Sequence, residues 1–220
     1  MNPSRSTLDH AIALAHLQQS DPLLGELIQQ VGDCNLGRQP TDDTLLSALV
    51  KSIIYQRISI KAANTVYARF LNLYAPAAFP SAMEILATPD PTLRSIGLPG
   101  MKVVYLKDLA QKVLTDLPDL ATLHTMEDEA IIQTLTQIKG IGRWSVQMLL
   151  MFQLYRLNVL PVDDLGIRAA IRNLYRLDDL PTKAIVERLA LPWQPYRTIA
   201  CWYLWYSRDA VNQDLLKHWA

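Results

Sequence analysis

The sequence predicts an all-α protein, and three observations carry that prediction. Apolar residues recur three and four positions apart in one segment after another, as at Leu8, Ala11 and Ala15. Glycines, prolines and capping residues separate these segments. Residues 159–162 form the one extended stretch, and Pro161 within it favours a connector over a sheet strand. We expect two small helical lobes rather than a sheet domain.

The predicted helical segments follow one another along the chain. Gly32 ends the second segment. The polar run Thr41, Asp42 and Asp43 caps the third, and Ser59 caps the fourth. Prolines and glycines fill the irregular stretch that precedes the fifth. The predicted helices comprise residues 7–19, 22–31, about 44–55, 60–73, 101–114, 127–138, 143–154, 164–175, 182–189 and 195–211.

The charge composition gives the chain no net attraction to a polyanion, since 21 Lys and Arg residues balance 21 Asp and Glu residues. Any basic surface is therefore local. Lys139 and Arg143 are candidates in one segment, and a second set lies four residues apart on one helix face. That second set is Arg168, Arg172 and Arg176. These arginines could contact phosphate. They could equally form a solvated surface that pairs with nearby carboxylates.

Cysteine number and apolar run length narrow the class of protein further. No apolar run is long enough for a membrane span, and the N-terminus lacks the apolar core of a signal peptide. We therefore expect no membrane association and a cytoplasmic location, or a nuclear one in a eukaryote. Cys34 and Cys201 are too few for a zinc or iron–sulfur site of their own, and a reducing compartment disfavours a disulfide between them.

The segment IKGIGRW at residues 138–144 is the most informative part of the chain. Gly140 and Gly142 enclose one apolar residue between two helical patterns, so the chain can turn tightly and direct backbone N–H groups outward at a helix N-terminus. Such an arrangement suits a phosphate, and main-chain donors contact the sugar-phosphate backbone without reading base sequence. A Gly-x-Gly pair alone also suits an ordinary helix–helix turn.

Two adjacent carboxylates, Asp163 and Asp164, stand where the extended stretch meets the next helical pattern. Either residue suits a helix N-cap. The positive end of a helix also favours the ionised form of a carboxylate, and Arg168 one turn later adds to that effect. An ionised carboxylate can stabilise positive charge that develops on a bound group.

Taken together, these two segments resemble the helix-hairpin-helix motif and downstream aspartate of the DNA glycosylase superfamily that includes endonuclease III and 3-methyladenine DNA glycosylase II. The motif of that family begins with six positions: hydrophobic, any residue, Gly, hydrophobic, Gly and Arg. An amphipathic helix, an extended segment and the aspartate follow. Every element occurs here in that order, and a looser resemblance runs from about Leu45 to Tyr206. The resemblance implies an all-α fold of two lobes with a cleft between them.

The resemblance favours the alkylbase branch of this superfamily. The endonuclease III branch usually carries a four-cysteine iron–sulfur loop near its C-terminus, and this sequence lacks one. The segment before Leu45 has room for two helices but not for the N-terminal β domain of some alkylbase enzymes. The chain is therefore similar to a short, single glycosylase unit of two lobes. The expected terminal lobe comprises about 1–40 and 165–220, and the expected central lobe comprises about 41–164 with the hairpin at 138–144.

The resemblance assigns a catalytic role to Asp164. In the family an aliphatic residue follows three positions after the catalytic aspartate, and Ile167 has that spacing from Asp164. The same count from Asp163 reaches Gly166, so Asp163 is interpreted as a neighbour that orients or caps.

Two tryptophans are the expected walls of a base pocket. Trp144 directly follows Gly-x-Gly-Arg, where family members that also cleave the strand carry a lysine that forms a Schiff base. A tryptophan cannot form one, and its π face suits a positively charged alkylated purine. Trp205 matches a pocket tryptophan of the family's closing helix, whereas Trp202 does not. At helical spacing each of these aromatic residues also suits a core position.

The resemblance also implies which residues contact DNA. Gln56 or Arg57, in a turn between two apolar helices, would fill the gap that an extruded base leaves, although both also suit an ordinary helix junction. The chemistry needs no cofactor, but backbone carbonyls of such hairpins can hold a monovalent cation. The expected DNA-backbone contacts are Lys139, Gly140, Gly142 and Arg143. The expected cation-binding carbonyls are those of Thr136, Ile138 and Ile141.

The resemblance therefore implies a monofunctional DNA glycosylase that flips alkylated purines out of double-stranded DNA and hydrolyses the N-glycosidic bond. The expected substrates include 3-methyladenine and 7-methylguanine, no AP-lyase activity is expected, and the expected form is a monomer. Two alternatives remain open: a non-catalytic hairpin module that only binds DNA, and a glycosylase for other damaged bases.

Overall fold

The structure, a computed structural model, describes residues 10–37, 42 and 44–207. Within that part of the chain it contains helices and no strand, which confirms the predicted all-α class. No helix in the described ranges is both long enough and apolar enough to cross a bilayer. The helices are α1 (His10–Ser20), α2 (Pro22–Val31), α3 (Leu45–Tyr55), α4 (Ile60–Asn72), α5 (Ala82–Ala87), α6 (Asp90–Ser95), α7 (Gly100–Thr115), α8 (Leu120–Thr125), α9 (Asp128–Leu135), α10 (Arg143–Phe152), α11 (Leu165–Leu174), α12 (Lys183–Leu189) and α13 (Arg197–Tyr206).

The longer helices lie where hydrophobic periodicity predicts them, whereas three short ones were missed. Helix α2 has the predicted bounds, and α3, α4, α7, α9 and α11 agree within a few residues. Helices α5, α6 and α8 have six residues each. Fewer than two helical turns give no measurable period, so the sequence showed only turns there.

The start of α3 differs from the prediction. Its N-cap is Thr44, whose side chain accepts a hydrogen bond from the backbone N–H of Ser47 at 3.1 Å, while Ser47 Oγ accepts one from the Thr44 N–H. This reciprocal pair forms a capping box. Asp42 does not cap the helix, and the predicted caps Thr41 and Asp43 lie outside the described residues. The predicted cap of α4 is confirmed, because Ser59 accepts from the N–H of Ala62.

The chain forms two compact units. One comprises Met1–Pro40 and Leu150–Ala220, and the other comprises Thr41–Leu149. The expected lobe boundaries near residues 40 and 164 stay a prediction. The connector after α10 belongs to the first unit because it bonds to the start of α13: the Thr198 N–H donates to Leu157 O at 2.9 Å, and the Val159 N–H donates to Thr198 Oγ1 at 3.0 Å.

A buried carboxylate joins the N-terminal helices to the C-terminal segment within the first unit. Asp21 is 7 % exposed and caps α2 through the N–H of Leu24. Its other oxygen accepts hydrogen bonds from Trp193 Nε1 at 2.8 Å and from the Tyr175 hydroxyl. Burial raises the pKa of Tyr175, so this hydroxyl remains a donor at neutral pH. Donors to both oxygens offset the desolvation cost of the buried carboxylate.

Candidate functional site

The predicted hairpin is a tight turn between α9 and α10. Gly140 has a φ of 80°, in the left-handed region, and the Ile141 N–H donates to Ile138 O at 3.0 Å to close the turn. Ile138 and Ile141 are buried and anchor the hairpin in the second unit. Gly142 is exposed, and a Cβ added to it would meet no atom within 4 Å. The backbone at Gly142 is therefore open to a ligand at the start of α10.

Helix α7 supports this hairpin from behind. A Cβ on Gly140 would lie 2.2 Å from Tyr105 Cδ2, so the turn requires glycine for space as well as for its positive φ. One turn further along α7, Asp108 Oδ2 accepts the backbone N–H of Lys139 at 2.9 Å. These contacts with two side chains of one helix fix the hairpin backbone in place.

The two predicted cations of the hairpin each have a carboxylate neighbour. Lys139 Nζ lies 3.6 Å from Asp108 Oδ1, and the Arg143 guanidinium donates to both oxygens of Glu129 at 2.9 and 2.6 Å. The hydrogen bonds from Arg143 hold the pKa of Glu129 below its usual value. The side chains of Lys139, Arg143 and Glu129 are exposed. The local basic surface that the sequence predicted here is therefore partly neutralised in the free protein.

The predicted wedge residues lie in the turn between α3 and α4, which contacts the hairpin. Gln56 ends α3, and its side-chain Nε2 donates to Gly140 O at 2.9 Å. Arg57 is exposed and has a φ of 57°, in the left-handed region. The buried Lys102 of α7 donates from Nζ to Ile54 O at 2.6 Å and to Gln56 O at 2.8 Å. Of the two predicted wedge residues, Gln56 thus contacts the hairpin, whereas Arg57 is exposed.

Trp144 differs from two other tryptophans of the chain in its exposure. It lies in the first turn of α10 and is 39 % exposed, whereas Trp193 and Trp202 are buried. Trp144 is therefore not a core residue, and part of its side chain is accessible to a ligand.

In the first unit, Asp164 rather than Asp163 caps α11. Asp164 Oδ1 accepts the N–H of Ile167 at 2.7 Å and the Nε1–H of Trp205 at 3.0 Å. Asp163 is exposed and pairs with Lys183 Nζ at 2.6 Å, so it does not cap the helix. Arg168, which was expected to act on the carboxylate, donates from Nε to Pro181 O instead. The sequence did not predict the bond between Asp164 and Trp205, which lie 41 residues apart.

Gly166 is a further site residue that the sequence analysis missed. A Cβ on it would lie 2.9 Å from Asp164 Oδ1 and 3.2 Å from the Cδ1 and Nε1 atoms of Trp205. Glycine therefore leaves the space in which the carboxylate and the indole meet. The sequence carries one signal for this residue, which is a glycine in the first turn of a helix. Glycine destabilises a helix because it loses more conformational entropy than other residues, so its presence there indicates a steric requirement.

Both tryptophans of α13 are buried, but they have different contacts. Trp205 lies against Phe152, with ring centroids 5.9 Å apart, and bonds to Asp164. Trp202 is buried and stacks on Tyr206 at 3.9 Å, which is a packing role. Among the described residues, no cluster of three or more His, Cys, Asp or Glu side chains could hold a metal ion.

Replacing Gly166 with alanine is expected to break the hydrogen bond between Asp164 and Trp205, because the added Cβ forces one of these side chains to move. The cost in the free energy of unfolding is about 1–3 kcal/mol, typical of an added methyl in a filled space. In a ¹H–¹⁵N spectrum the indole N–H signal of Trp205, assigned with Trp205→Phe, should shift toward that of a solvated indole. The Trp193 signal, from the bond to Asp21, is the internal control. An unshifted Trp205 signal would contradict the required close approach.

Comparisons with known proteins identify the family of the chain. Residues 50–195 match the family described as HhH-GPD superfamily base excision DNA repair protein. DNA-3-methyladenine glycosylase 1 of Schizosaccharomyces pombe is 36% identical over 198 residues, which cover 90% of this chain and 87% of that protein. The alkylbase DNA glycosidase-like protein mag2 of the same yeast is 30% identical over 199 residues, with coverage of 90% and 93%.

Solved structures share the fold over nearly the whole chain. The S. pombe 3-methyladenine DNA glycosylase Mag1, in complex with abasic DNA, superposes with a TM-score of 0.82 at 35% identity and covers 91% of this chain and 98% of that chain. A DNA-3-methyladenine glycosidase from Bacillus halodurans gives a TM-score of 0.80 at 31% identity, with coverage of 93% and 95%. The chain belongs to the HhH-GPD superfamily of base excision DNA repair proteins.

Proposed function

We propose that the protein is a DNA glycosylase that flips alkylated purines, such as 3-methyladenine and 7-methylguanine, out of duplex DNA and hydrolyses their N-glycosidic bonds to start base excision repair. The observation that carries the proposal is the Asp164 carboxylate at the N-terminus of α11, oriented by the Ile167 N–H and the Trp205 indole. The names of the relatives, which are 3-methyladenine and alkylbase glycosylases, support the same substrate class.

Asp164 is the proposed catalytic residue. As the bond between the sugar C1′ and the base nitrogen breaks, its electron pair leaves with the base and the sugar gains positive charge. The carboxylate stabilises that charge, and a water molecule then adds its oxygen to C1′ and releases a proton. N-alkylated purines carry positive charge before cleavage and leave as neutral bases, so the reaction requires no redox or metal cofactor.

Trp144 and Trp205 are the proposed aromatic residues of the base pocket. Trp144 is partly exposed and offers a π face, and a cationic purine gains cation–π attraction there in addition to stacking. Trp205 bonds to the catalytic carboxylate, so its ring is fixed relative to the reacting group. The contact of the Trp205 indole with the Asp164 carboxylate suits a positively charged transition state.

The hairpin is the proposed grip on the DNA backbone, through the amides near Gly140 and Gly142 and the side chains of Lys139 and Arg143. These contacts bind any sequence, which suits a search for rare lesions. The carbonyls of Thr136, Ile138 and Ile141 are the proposed ligands of a monovalent cation between hairpin and phosphate. Ile138 O accepts the turn hydrogen bond from Ile141 and retains a second lone pair, with which it could bind such an ion.

Duplex DNA treated with a methylating agent is expected to release free 3-methyladenine and 7-methylguanine on incubation with the protein, as measured by chromatography. The DNA strand should remain intact until alkali is added, and borohydride should trap no covalent adduct, because Trp144 takes the place of the Schiff-base lysine. DNA binding without release of any base would favour the non-catalytic module. A trapped adduct that disappears in Lys139→Ala would assign that lysine as a nucleophile.

Asp164→Asn is expected to slow base release about a hundredfold or more, because it removes the charge that stabilises the transition state. Binding to an abasic-site duplex, measured by fluorescence anisotropy, should change little. Asp163→Asn is the matched control, since Asp163 is exposed and pairs with Lys183 instead. Equal losses in both variants would remove the distinction between the two residues.

Glu129→Gln is expected to raise the affinity for undamaged duplex DNA at low salt about two- to fivefold, because it releases the Arg143 guanidinium from its carboxylate partner. Affinity is measured across a range of salt concentrations, and the gain should shrink as salt rises. Glu127→Gln makes the same charge change two residues away, at an N-cap position that lacks a side-chain hydrogen bond. A gain of the same size in that control would show a general charge effect.

A further inference from the structure

Lys102 occupies an unusual place for a charged residue. It is 8 % exposed, and within the described part of the chain it has no carboxylate partner. Burial lowers the pKa of Lys102, which reflects the cost of keeping an ammonium group there. An apolar side chain of similar length would fill the space without that cost. The hydrogen bonds of the ammonium group therefore explain why a lysine stands at this position.

The contacts of Lys102 are both with the turn between α3 and α4. Its ammonium group donates to Ile54 O at 2.6 Å and to Gln56 O at 2.8 Å. Carbonyls at the end of a helix have no partner within the helix, and a cation there also complements the negative end of the helix dipole. Lys102 thus fixes the last turn of α3 and the peptide that leads into Arg57.

Arg57 needs such a support. Its φ of 57° lies in the left-handed region, which costs free energy for any residue other than glycine and persists only when the neighbours hold it. On one side Lys102 holds the carbonyl of Gln56, and on the other Ser59 caps α4. Among the described residues Arg57 has no hydrogen-bond or ion-pair partner, and its side chain is exposed.

The neighbouring side chain is already engaged. Gln56 donates from Nε2 to Gly140 O at 2.9 Å, so its amide links the turn to the hairpin. Of the two wedge candidates, Arg57 is therefore the one that can leave the protein surface without breaking an observed contact.

We propose that Lys102 is a positioning residue, whose ammonium group holds the α3–α4 turn in the conformation from which Arg57 enters the DNA stack and fills the gap left by the extruded base. This inference rests on the proposed base-flipping function. In this proposal Gln56 connects the turn to the hairpin, and Arg57 is the residue that fills the gap in the DNA stack.

The test compares Lys102→Met, Arg57→Ala and the double variant with Lys107→Met. Lys107 lies on the same helix and makes the same kind of contact at the end of α5, where its Nζ donates to Leu86 O at 2.8 Å and Thr88 O at 2.7 Å. Thermal unfolding of each variant measures the structural cost. If Lys102→Met fails to fold, Lys102→Gln, which keeps a shorter donor, replaces it and should show a partial effect.

Single-turnover excision of 7-methylguanine is measured in two duplexes, one with the lesion paired to cytosine and one with the lesion opposite an abasic spacer. Lys102→Met and Arg57→Ala should slow excision of the paired lesion about tenfold, and the double variant should be no slower than Arg57→Ala. The unpaired lesion, which is cheaper to extrude, should be affected much less. Additive losses, equal losses on both duplexes, or the same loss in Lys107→Met would overturn the inference.

A second measurement needs no catalysis. An abasic-site duplex carries 2-aminopurine next to the abasic position, where its fluorescence rises when a side chain separates it from the neighbouring base. The wild-type protein should raise the signal, and Lys102→Met and Arg57→Ala should each lose most of the increase while Lys107→Met retains it. If the wild-type protein bound DNA but released no base, the proposed function would fail, and the fluorescence would still decide the role of Lys102. Retention of the full signal by Lys102→Met would overturn that role.

Discussion

The geometry of the proposed catalytic group depends on the hydrogen bond between Asp164 and Trp205. One carboxylate oxygen accepts the N–H of Ile167, which belongs to the same helix, and the indole N–H of α13, which is distant in sequence. The absence of a side chain at Gly166 gives the two groups room to meet. Thr198 then ties the start of α13 to the connector before Asp164, so the bond spans two segments that are already fastened together.

Electrostatics in this chain are balanced at two scales. The overall formal charge is zero, and each cation of the hairpin has a carboxylate neighbour, Asp108 for Lys139 and Glu129 for Arg143. Long-range attraction therefore contributes little to the proposed contact with DNA. The binding energy would come instead from backbone amides and from Lys139 and Arg143, which would exchange their carboxylate partners for phosphates. Such a surface suits an enzyme that must release undamaged DNA readily while it searches.

The sequence predicted features that arise from local rules and missed features that arise from distant contacts. Helical periodicity predicted the long helices, and the preference of short polar residues for N-caps predicted Ser59 and the capping role of the Asp163–Asp164 pair. The choice of Thr44 over its polar neighbours depends on a reciprocal bond with Ser47, which composition does not show. The bonds of Trp205 and Lys102 join residues far apart in sequence, and no local pattern encodes them.

Helix α7 contacts both segments that are proposed to meet DNA, the wedge turn and the hairpin. Lys102, Tyr105 and Asp108 follow one another at three-residue intervals along α7: Lys102 bonds to the wedge turn, Tyr105 lies behind Gly140, and Asp108 bonds to the hairpin backbone. With a rise of about 1.5 Å per residue, the first and last lie about 9 Å apart along the axis, or between two and three base-pair steps of DNA. Within the proposed function, the spacing between Lys102 and Asp108 on α7 would therefore fix the distance between the wedge turn and the hairpin that contacts the DNA backbone.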